Sequence, residues 1–360
     1  MKCTGWTKNP KRRYNRIKPT TMTNPILVEI YRNNVLESFH RGVVCVVDRD
    51  NNIIYSEGDV QQICYPRSAL KLIQVLPLLE SGAVEHFGFT LEEIAIMCGS
   101  HNGEEEHQRV VNSILTKIGL DKESLFCGPQ YPTDRKTANQ LIKDSGKPHH
   151  IHNNCSGKHA GFLAYCVFMG WPVQDYINPN HPAQQAIMQA TSELYEYPKE
   201  SMVVALDGCS APIFSISVYH QAVGYKNLVH PVKFSPERQK ACATIIEAVS
   251  KYPYMVAGRN RYCTEMMQVC APRIIGKTGA EGVFCMGLTE EKIGVAIKID
   301  DGEMLPQYNV AQRFIEATGI FTPEQLAPLK HYEREELKNF NQYVTGEIRT
   351  TDGLFEGLVL

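Results

Sequence analysis

The chain has 360 residues, 43% of them hydrophobic, so it can bury a substantial core as a globular protein. Its formal net charge of -2 provides no overall field that would attract nucleic acid or an anionic membrane, and we expect neither as a partner. No apolar run approaches the roughly 18 residues that cross a bilayer, so we expect no transmembrane segment.

The N-terminus is basic, with seven lysines and arginines and no acidic residue before Glu29. Arg12 and Arg13 resemble part of an export signal, but no apolar stretch follows them. We therefore predict a disordered extension over residues 1–24 and a cytoplasmic protein whose twelve cysteines are reduced thiols. The sequence contains no C-x-x-C pair, which argues against a zinc ribbon or a thioredoxin-type site.

Strand patterns occur towards both ends of the chain, with helical patterns between them. Helical periodicity begins at Ser68 and dominates roughly 90–250, whereas 330–360 carries no clear pattern. The predicted strands are 26–32, 35–47, 53–56, 201–206, 213–219, 282–288 and 293–299.

This order predicts a mixed α/β fold. We expect one antiparallel sheet built from the N- and C-terminal strands, flanked by helices and carrying a helical insertion. The predicted domain covers 25–360, with a sheet subdomain formed by 25–67 and 255–360 and a mainly helical part over 68–254. Such an arrangement creates a cleft between the sheet and the helices.

Three short motifs follow one another along the chain: S-x-x-K at 68–71, S-x-N at 100–102 and K-T-G at 277–279. Each motif alone is weak, since an isolated S-x-x-K more often means a serine that caps a helix and a solvated lysine. The ordered set is typical of serine acyl enzymes that use lysine as the base. Ser68 and Lys71 lie three apart on a predicted helix and so share a face. A lysine acts as a base only when neutral, which requires desolvation or a second cation, such as Lys277.

The K-T-G triplet has a competing interpretation as the end of a nucleotide-binding P-loop. That loop needs a glycine where the chain has Ala271, followed by Pro272, and the strand-to-helix context is missing. We therefore disfavour nucleotide binding. Gly276 and Gly279 instead allow a backbone edge to approach a ligand closely, and amides near Ser68 and this edge are candidates for an oxyanion hole.

A second candidate site lies around two similar cysteine segments, NNCSG at 153–157 and DGCSA at 207–211. Cys155 and Lys158 are at the start of a predicted helix, and Cys209 is in a glycine loop after a strand. Thiolates in such positions have a lowered pKa and bind soft cations such as zinc. From the spacing alone, two structural thiols are the alternative.

Five blocks together resemble the asparaginase family first known from rhizobia, often called class 3 asparaginases, whose fold is similar to serine β-lactamases and serine glutaminases. The resemblance covers nearly all of 25–360, and only the basic extension departs from it. The blocks are PRSALK (66–71), CGSHNGE (98–104), NNCSGKHAG (153–161), DGCSAP (207–212) and GKTGAEG (276–282).

The resemblance implies an L-asparaginase, an amidohydrolase that converts L-asparagine to L-aspartate and ammonia through an acyl-enzyme ester. It implies two Ser-Lys tandems, Ser68 with Lys71 and Ser100 with Lys277. Ser68 would be the nucleophile and Lys71 its base, while the second tandem relays a proton to the departing ammonia.

The resemblance also implies a zinc ion near the substrate, held by Cys155, Lys158 and Cys209, whether or not activity requires it. A lysine ligand must be neutral to donate its lone pair. The family further suggests a homodimer. Asp207 would be a carboxylate beside the zinc ligands or an ammonium-binding group. The predicted substrate-binding residues are Arg67, His101, Asn102, Asp207, Arg259, Thr278 and Gly279.

Two rival functions remain open at this point. The same serine-lysine apparatus serves a glutaminase or a β-lactam acyl hydrolase, and relative rates on the three substrates separate these activities. A zinc-dependent ligand-binding protein that performs no catalysis would bind metal and ligand without releasing ammonia.

Overall fold

A computed structural model describes residues 23–360, so most of the predicted extension 1–24 lies outside the described residues. The chain divides into two compact units. Among the described residues the first comprises Lys71–Ser215 and Phe234–Arg259, and the second comprises Thr23–Leu70, Ile216–Lys233 and Asn260–Leu360. Among residues 23–360, no helix is both long enough and apolar enough to cross a lipid bilayer.

The strands and helices of the described residues are numbered in chain order. The strands are β1 (Ile26–Arg32), β2 (Val35–Val47), β3 (Ile53–Glu57), β4 (Ile63–Cys64), β5 (Val204–Leu206), β6 (Pro212–Phe214), β7 (Ile216–Ser217), β8 (Ile274–Gly279), β9 (Val283–Leu288), β10 (Ile293–Ile299), β11 (Arg334–Lys338) and β12 (Val344–Thr350). The α-helices are α1 (Lys71–Gln74), α2 (Leu76–Glu80), α3 (Ala83–Phe87), α4 (Leu91–Met97), α5 (Glu105–Lys117), α6 (Arg135–Lys143), α7 (Ser156–Met169), α8 (Pro182–Tyr195), α9 (Val218–Val229), α10 (Pro236–Lys251), α11 (Pro253–Val256), α12 (Tyr262–Cys270), α13 (Met304–Ala317), α14 (Pro323–Leu326) and α15 (Lys330–Glu333). Short 3-10 helices are Arg67–Leu70, Lys122–Ser124, His150–His152, Lys199–Ser201 and Ala327–Leu329.

The second unit is built on an antiparallel sheet in the order β11-β12-β1-β2-β10-β9-β8, with β3 also paired to β2. Strands from both ends of the chain meet in it, as Val28 pairs with Thr350 and Cys45 pairs with Ala296. The predicted mixed α/β fold with an antiparallel sheet assembled from the two ends of the chain is confirmed.

Helix α9 packs directly on this sheet. A Cβ atom at Gly294 of β10 would lie 2.0 Å from the carbonyl oxygen of Ala222 in α9, so only glycine permits this approach.

The start of α9 corrects the predicted strand 213–219, because β7 ends at Ser217 and α9 begins at Val218. The Ser217 side chain caps the helix by accepting a hydrogen bond from the amide of His220, a local signal that outweighs the branched apolar pattern.

The first unit is a helical assembly around α7, which is buried from Ser156 to Cys166. Helix α4 packs against both α5 and α10 in the same unit. Helix α4 starts at a reciprocal cap between Thr90 and Glu93 and ends at Met97. The end of α4 delivers the chain into the S-x-N segment.

Candidate active site

The first unit brings Lys71 and Ser100 into direct contact. The Nζ atom of Lys71 donates to Ser100 Oγ at 2.8 Å and to the carbonyl oxygen of Gly99 at 2.6 Å. Lys71 is 1% exposed and Ser100 6% exposed. An amine against a serine hydroxyl, both out of bulk water, can move protons during acyl transfer.

The segment 99–104 that carries Ser100 is held on two sides. The amide of Ser100 donates to the carbonyl oxygen of Val256 at 2.8 Å, and the amide of His101 donates to that of Asn154 at 3.1 Å. A Cβ atom at Gly99 would lie 2.6 Å from the carbonyl oxygen of Met255, so the turn admits no side chain there. Backbone contacts therefore fix the position of Ser100.

His101 is fully buried, and both of its ring nitrogens form hydrogen bonds. Its Nδ1 accepts from the amide of Gly103 at 3.1 Å, and its Nε2 lies 3.0 Å from Ser156 Oγ. Since Ser156 Oγ itself donates to Ile151 O, the histidine Nε2 carries the proton and donates. Through these two bonds His101 holds the segment 99–104 in place, and its contact with substrate stays a prediction.

Asn102 is buried as well, and its side chain is tied to the chain around Arg259. Its Nδ2 donates to the carbonyl oxygen of Arg259 at 3.0 Å and to Glu104 Oε1 at 3.1 Å. The Arg259 side chain, which is about half exposed, forms an ion pair with the buried Glu104 carboxylate. A substrate carboxylate at Arg259 would have to share the guanidinium with Glu104.

In the second unit, Ser68 lies half-buried in the 3-10 helix Arg67–Leu70. The Tyr225 hydroxyl donates to the carbonyl oxygen of Ala69 at 2.8 Å, and a Cβ atom at Gly279 would lie 2.3 Å from the carbonyl oxygen of Pro66. The segment before Ser68 therefore packs against the K-T-G strand, and Gly279 is required there for space.

Arg67, the residue before Ser68, has φ 51, a left-handed conformation that non-glycine residues rarely adopt. Its guanidinium lies 3.5 Å from the Glu281 carboxylate, in the turn after β8. Strain of this kind persists only where the surrounding structure imposes it, and it is common at functional sites.

Lys277 and Thr278 lie on β8, and Lys277 is fully buried. The Lys277 amine donates to the carbonyl oxygen of Thr278 at 3.0 Å. The amide of Thr278 donates to the Sγ atom of Cys263 on α12 at 3.2 Å. The Thr278 Oγ1 atom contacts the Tyr308 hydroxyl at 3.3 Å. The K-T-G motif is therefore held in place by α12, a helix that contains none of the sequence motifs described above.

The lysine-serine contact described above joins Lys71 to Ser100, one member of each predicted tandem. Ser68 and Lys277 belong to the second unit. The predicted pairings of Ser68 with Lys71 and of Ser100 with Lys277 stay predictions.

The cysteine segments of the first unit meet in space. The Sγ atoms of Cys155 and Cys209 and a carboxylate oxygen of Asp207 all lie within 4.8 Å of one another. The Lys158 amine donates to Cys209 Sγ at 3.0 Å, and Cys155, Lys158 and Cys209 are buried. Two sulfurs and a carboxylate at this spacing form a donor set that suits zinc.

Charge in this cluster is concentrated on Cys209. A hydrogen bond from Cys155 and the nearby Lys158 ammonium lower the pKa of the Cys209 thiol to about 5, against the opposing effect of burial. The bond to Cys209 and burial together raise the pKa of Cys155 well above its usual value. Burial would lower the pKa of Lys158, but the charges of Cys209, Cys155 and Asp207 outweigh it and raise the pKa.

This charge distribution tests the predicted ligand set. Cys209 is poised as a thiolate, the form that binds a metal. Lys158 fits the predicted set only after it loses its proton, whereas Asp207 offers a carboxylate oxygen within 4.8 Å of both sulfurs. The residues present therefore fit a zinc ion, with Cys155 and Cys209 as its main ligands.

Sequence reasoning did not assign a role to several residues that hold the site. Glu104 and Glu281 were inside the quoted blocks, so their charge next to the motifs was an available signal. Tyr225 and Cys263 lie far from the motifs in sequence, and only the fold brings them to Ala69 and Thr278.

The first unit thus holds a buried serine-lysine contact and a buried cluster of two cysteines. A sequence profile of the L-asparaginase II family matches residues 28–350, and the chain belongs to this family. Membership supports an amidohydrolase with a small amide substrate. A comparison with curated proteins found no match to this chain.

Similar solved structures include a β-lactamase from Mycobacterium bovis, with 10% identity, a TM-score of 0.39, and coverage of 73% of this chain and 88% of that one. Another is a proposed β-lactamase from Bacteroides dorei, with 12% identity, a TM-score of 0.38, and coverage of 72% and 84%. Scores this low carry no argument about the activity of this chain.

Proposed function

We propose that the protein hydrolyses the side-chain amide of L-asparagine to L-aspartate and ammonia through an acyl-enzyme ester. Two findings support this proposal, the L-asparaginase II family match over residues 28–350 and the buried Lys71–Ser100 contact at 2.8 Å. The contact carries the proposal, because it places Lys71, the proposed base, against Ser100, the proposed relay, so that a proton taken from the nucleophile can pass towards the leaving ammonia.

In the proposed reaction, Ser68 Oγ attacks the carboxamide carbon and Lys71 takes its hydroxyl proton. The tetrahedral intermediate then collapses, the C–N bond breaks, and Ser100 with Lys277 relays a proton to the leaving ammonia. Water attacks the resulting ester, which releases L-aspartate and restores the Ser68 hydroxyl. This sequence divides a difficult hydrolysis into two easier steps.

The bonds of Lys71 suit the role of a base. A neutral amine has two N–H groups and one lone pair. The two hydrogen bonds of Lys71, to Gly99 O and Ser100 Oγ, use both N–H groups of that form. In the proposed reaction, the lone pair of this neutral form takes the proton of the nucleophile.

Substrate recognition is proposed to involve the charged and polar groups predicted from the sequence. Arg67 already faces the Glu281 carboxylate, and Arg259 already faces that of Glu104. A substrate carboxylate would therefore share either guanidinium with a glutamate. Thr278 and the backbone near Gly279 complete the proposed contacts.

We also propose a zinc ion held by Cys155 and Cys209, with Lys158 in its neutral form as the third ligand and Asp207 beside it. Bound zinc would orient the substrate rather than activate water, because a serine already provides the nucleophile. A homodimer and a cytoplasmic location remain predictions, and light scattering on the purified protein tests the first.

The test of the proposal is ammonia release by purified protein from L-asparagine, L-glutamine and, for ring opening, a chromogenic β-lactam. We expect release from L-asparagine at the highest kcat/KM, and we expect a chelated sample to show whether zinc matters. Faster turnover of L-glutamine or of the β-lactam would favour that activity instead. Metal and ligand binding with no ammonia from either amide would contradict the proposal and favour a binding protein.

Replacement of Cys209 by serine is expected to weaken zinc binding by at least about 10- to 100-fold, since it removes the thiolate of the cluster. Zinc content by mass spectrometry and competition with a chromogenic chelator measure the change. Cys242→Ser is the matched control, because Cys242 is a fully buried thiol of the same unit outside the cluster. Equal zinc affinity in the two variants would count against this site.

A further inference from the structure

We infer that Glu104 is a positioning residue for Ser100 and acts through the backbone of 254–259. The inference rests on the proposed amide hydrolysis, in which Ser100 relays a proton. Glu104 is only 2% exposed and is the last residue of the segment 99–104 that carries Ser100.

The Glu104 carboxylate accepts hydrogen bonds from both ends of that backbone stretch. Its Oε2 accepts from the Tyr254 hydroxyl at 2.8 Å and from the Arg259 guanidinium. Its Oε1 accepts from the Arg259 amide at 2.9 Å and from Asn102 Nδ2 at 3.1 Å. One carboxylate thus ties Tyr254 and Arg259 to the serine segment.

Val256 lies between these two anchors and contacts Ser100 directly. Its carbonyl oxygen accepts the Ser100 amide at 2.8 Å. The chain also passes close over the carboxylate, because a Cβ atom at Gly258 would lie 2.7 Å from Glu104 Oε1. Gly258 has φ 108, which further requires glycine there. A displacement of the Glu104 carboxylate therefore moves Val256 and, with it, Ser100.

A third connection runs through His107. The amide of Glu104 donates to His107 Nδ1 at 3.1 Å, and His107 Nε2 lies 3.0 Å from the carbonyl oxygen of Tyr254. The His107 ring stacks between those of His101 and Tyr254, with centroids 4.9 and 4.8 Å away. The residue after Ser100 is thus packed into the same assembly.

The charge of Glu104 is part of this assembly. Burial alone would raise the pKa of its carboxyl, but hydrogen bonds from Arg259, Tyr254 and Asn102 outweigh it and lower the pKa. A glutamine at this position keeps the shape of the side chain, but only one of its two terminal atoms still accepts hydrogen bonds. Glu104→Gln therefore loosens the anchor with little change of volume.

We expect Glu104→Gln to lower kcat about 10- to 100-fold, since misplacement of a catalytic group by ~1 Å costs about that much. Glu93→Gln is the matched control. Glu93 is as buried as Glu104, also accepts several hydrogen bonds in the first unit, and lies at the opposite end of α4 from Ser100. A purely structural role for Glu104 predicts that both variants lose thermal stability and keep kcat.

A second readout is independent of turnover. Hydrogen exchange at the amides of Ser100 and His101 is expected to accelerate at least about tenfold in Glu104→Gln and to stay unchanged in Glu93→Gln. Tyr254→Phe, which keeps the ring and removes one hydrogen bond, replaces Glu104→Gln if that variant does not fold.

The two proposals fail in different ways. A wild-type protein that releases no ammonia contradicts the proposed function, and the exchange experiment still decides the role of Glu104. Wild-type kcat in a folded Glu104→Gln or Tyr254→Phe variant, or unchanged exchange at Ser100, would overturn the positioning role.

Discussion

Ser68→Ala is expected to lower kcat for L-asparagine by about 10⁴-fold or more, the scale of loss when a serine nucleophile is removed. The reason is that alanine has no oxygen to form the acyl ester, so the reaction loses its two-step path. Acid quench during turnover, followed by peptide mass spectrometry, should reveal the ester on Ser68 in the wild-type protein and none in the variant.

Two controls make this result specific. Ser217→Ala removes another serine of the second unit, one that caps α9, and should lower stability by about 1 kcal/mol with kcat unchanged. Ser100→Ala should also lose activity, but the quenched ester should still map to Ser68. An ester found on Ser100, or activity of Ser68→Ala within tenfold of wild type, would reverse the assignment of nucleophile and relay.

The fold could be predicted from the sequence where the signals are local. The hairpin of β9 and β10 lies within one residue of its predicted position, because two apolar runs flank a polar turn. Strands β11 and β12 were not predicted, since their residues are mixed in charge and mostly not buried. The pairing of β12 with β1 joins positions more than 300 residues apart in sequence, as Val28 with Thr350. Such pairing has no local signature.

The site shows the same division between local and long-range information. The S-x-x-K and S-x-N motifs made Lys71 and Ser100 candidate catalytic residues, but three-residue spacing cannot say which hydroxyl the lysine contacts. That contact depends on how α4 ends and on the carbonyl oxygen of Val256, which holds the Ser100 amide. The role of Glu104 likewise follows from Tyr254 and Arg259, about 150 residues away.

Lys71→Ala is expected to lower kcat by about 10²- to 10⁴-fold, the usual contribution of a positioned general base. The change also leaves the Gly99 carbonyl and Ser100 hydroxyl without their lysine donor, which costs about 1–3 kcal/mol of stability for buried groups. Lys117→Ala separates the two effects, because the Lys117 amine also donates to one backbone carbonyl and one side-chain oxygen of the first unit, Gly88 O and Glu93 Oε2.

The decisive measurement is chemical rescue of Lys71→Ala by small primary amines. If Lys71 supplies a proton-transfer group, methylamine or ethylamine should raise kcat in proportion to its concentration and basicity, and should leave Lys117→Ala unaffected. If Lys71 only holds Ser100 in place, an added amine restores thermal stability without a dependence of kcat on amine basicity. The slope of kcat against amine basicity therefore distinguishes a base from a structural cation, and a slope of zero would remove Lys71 from the chemistry.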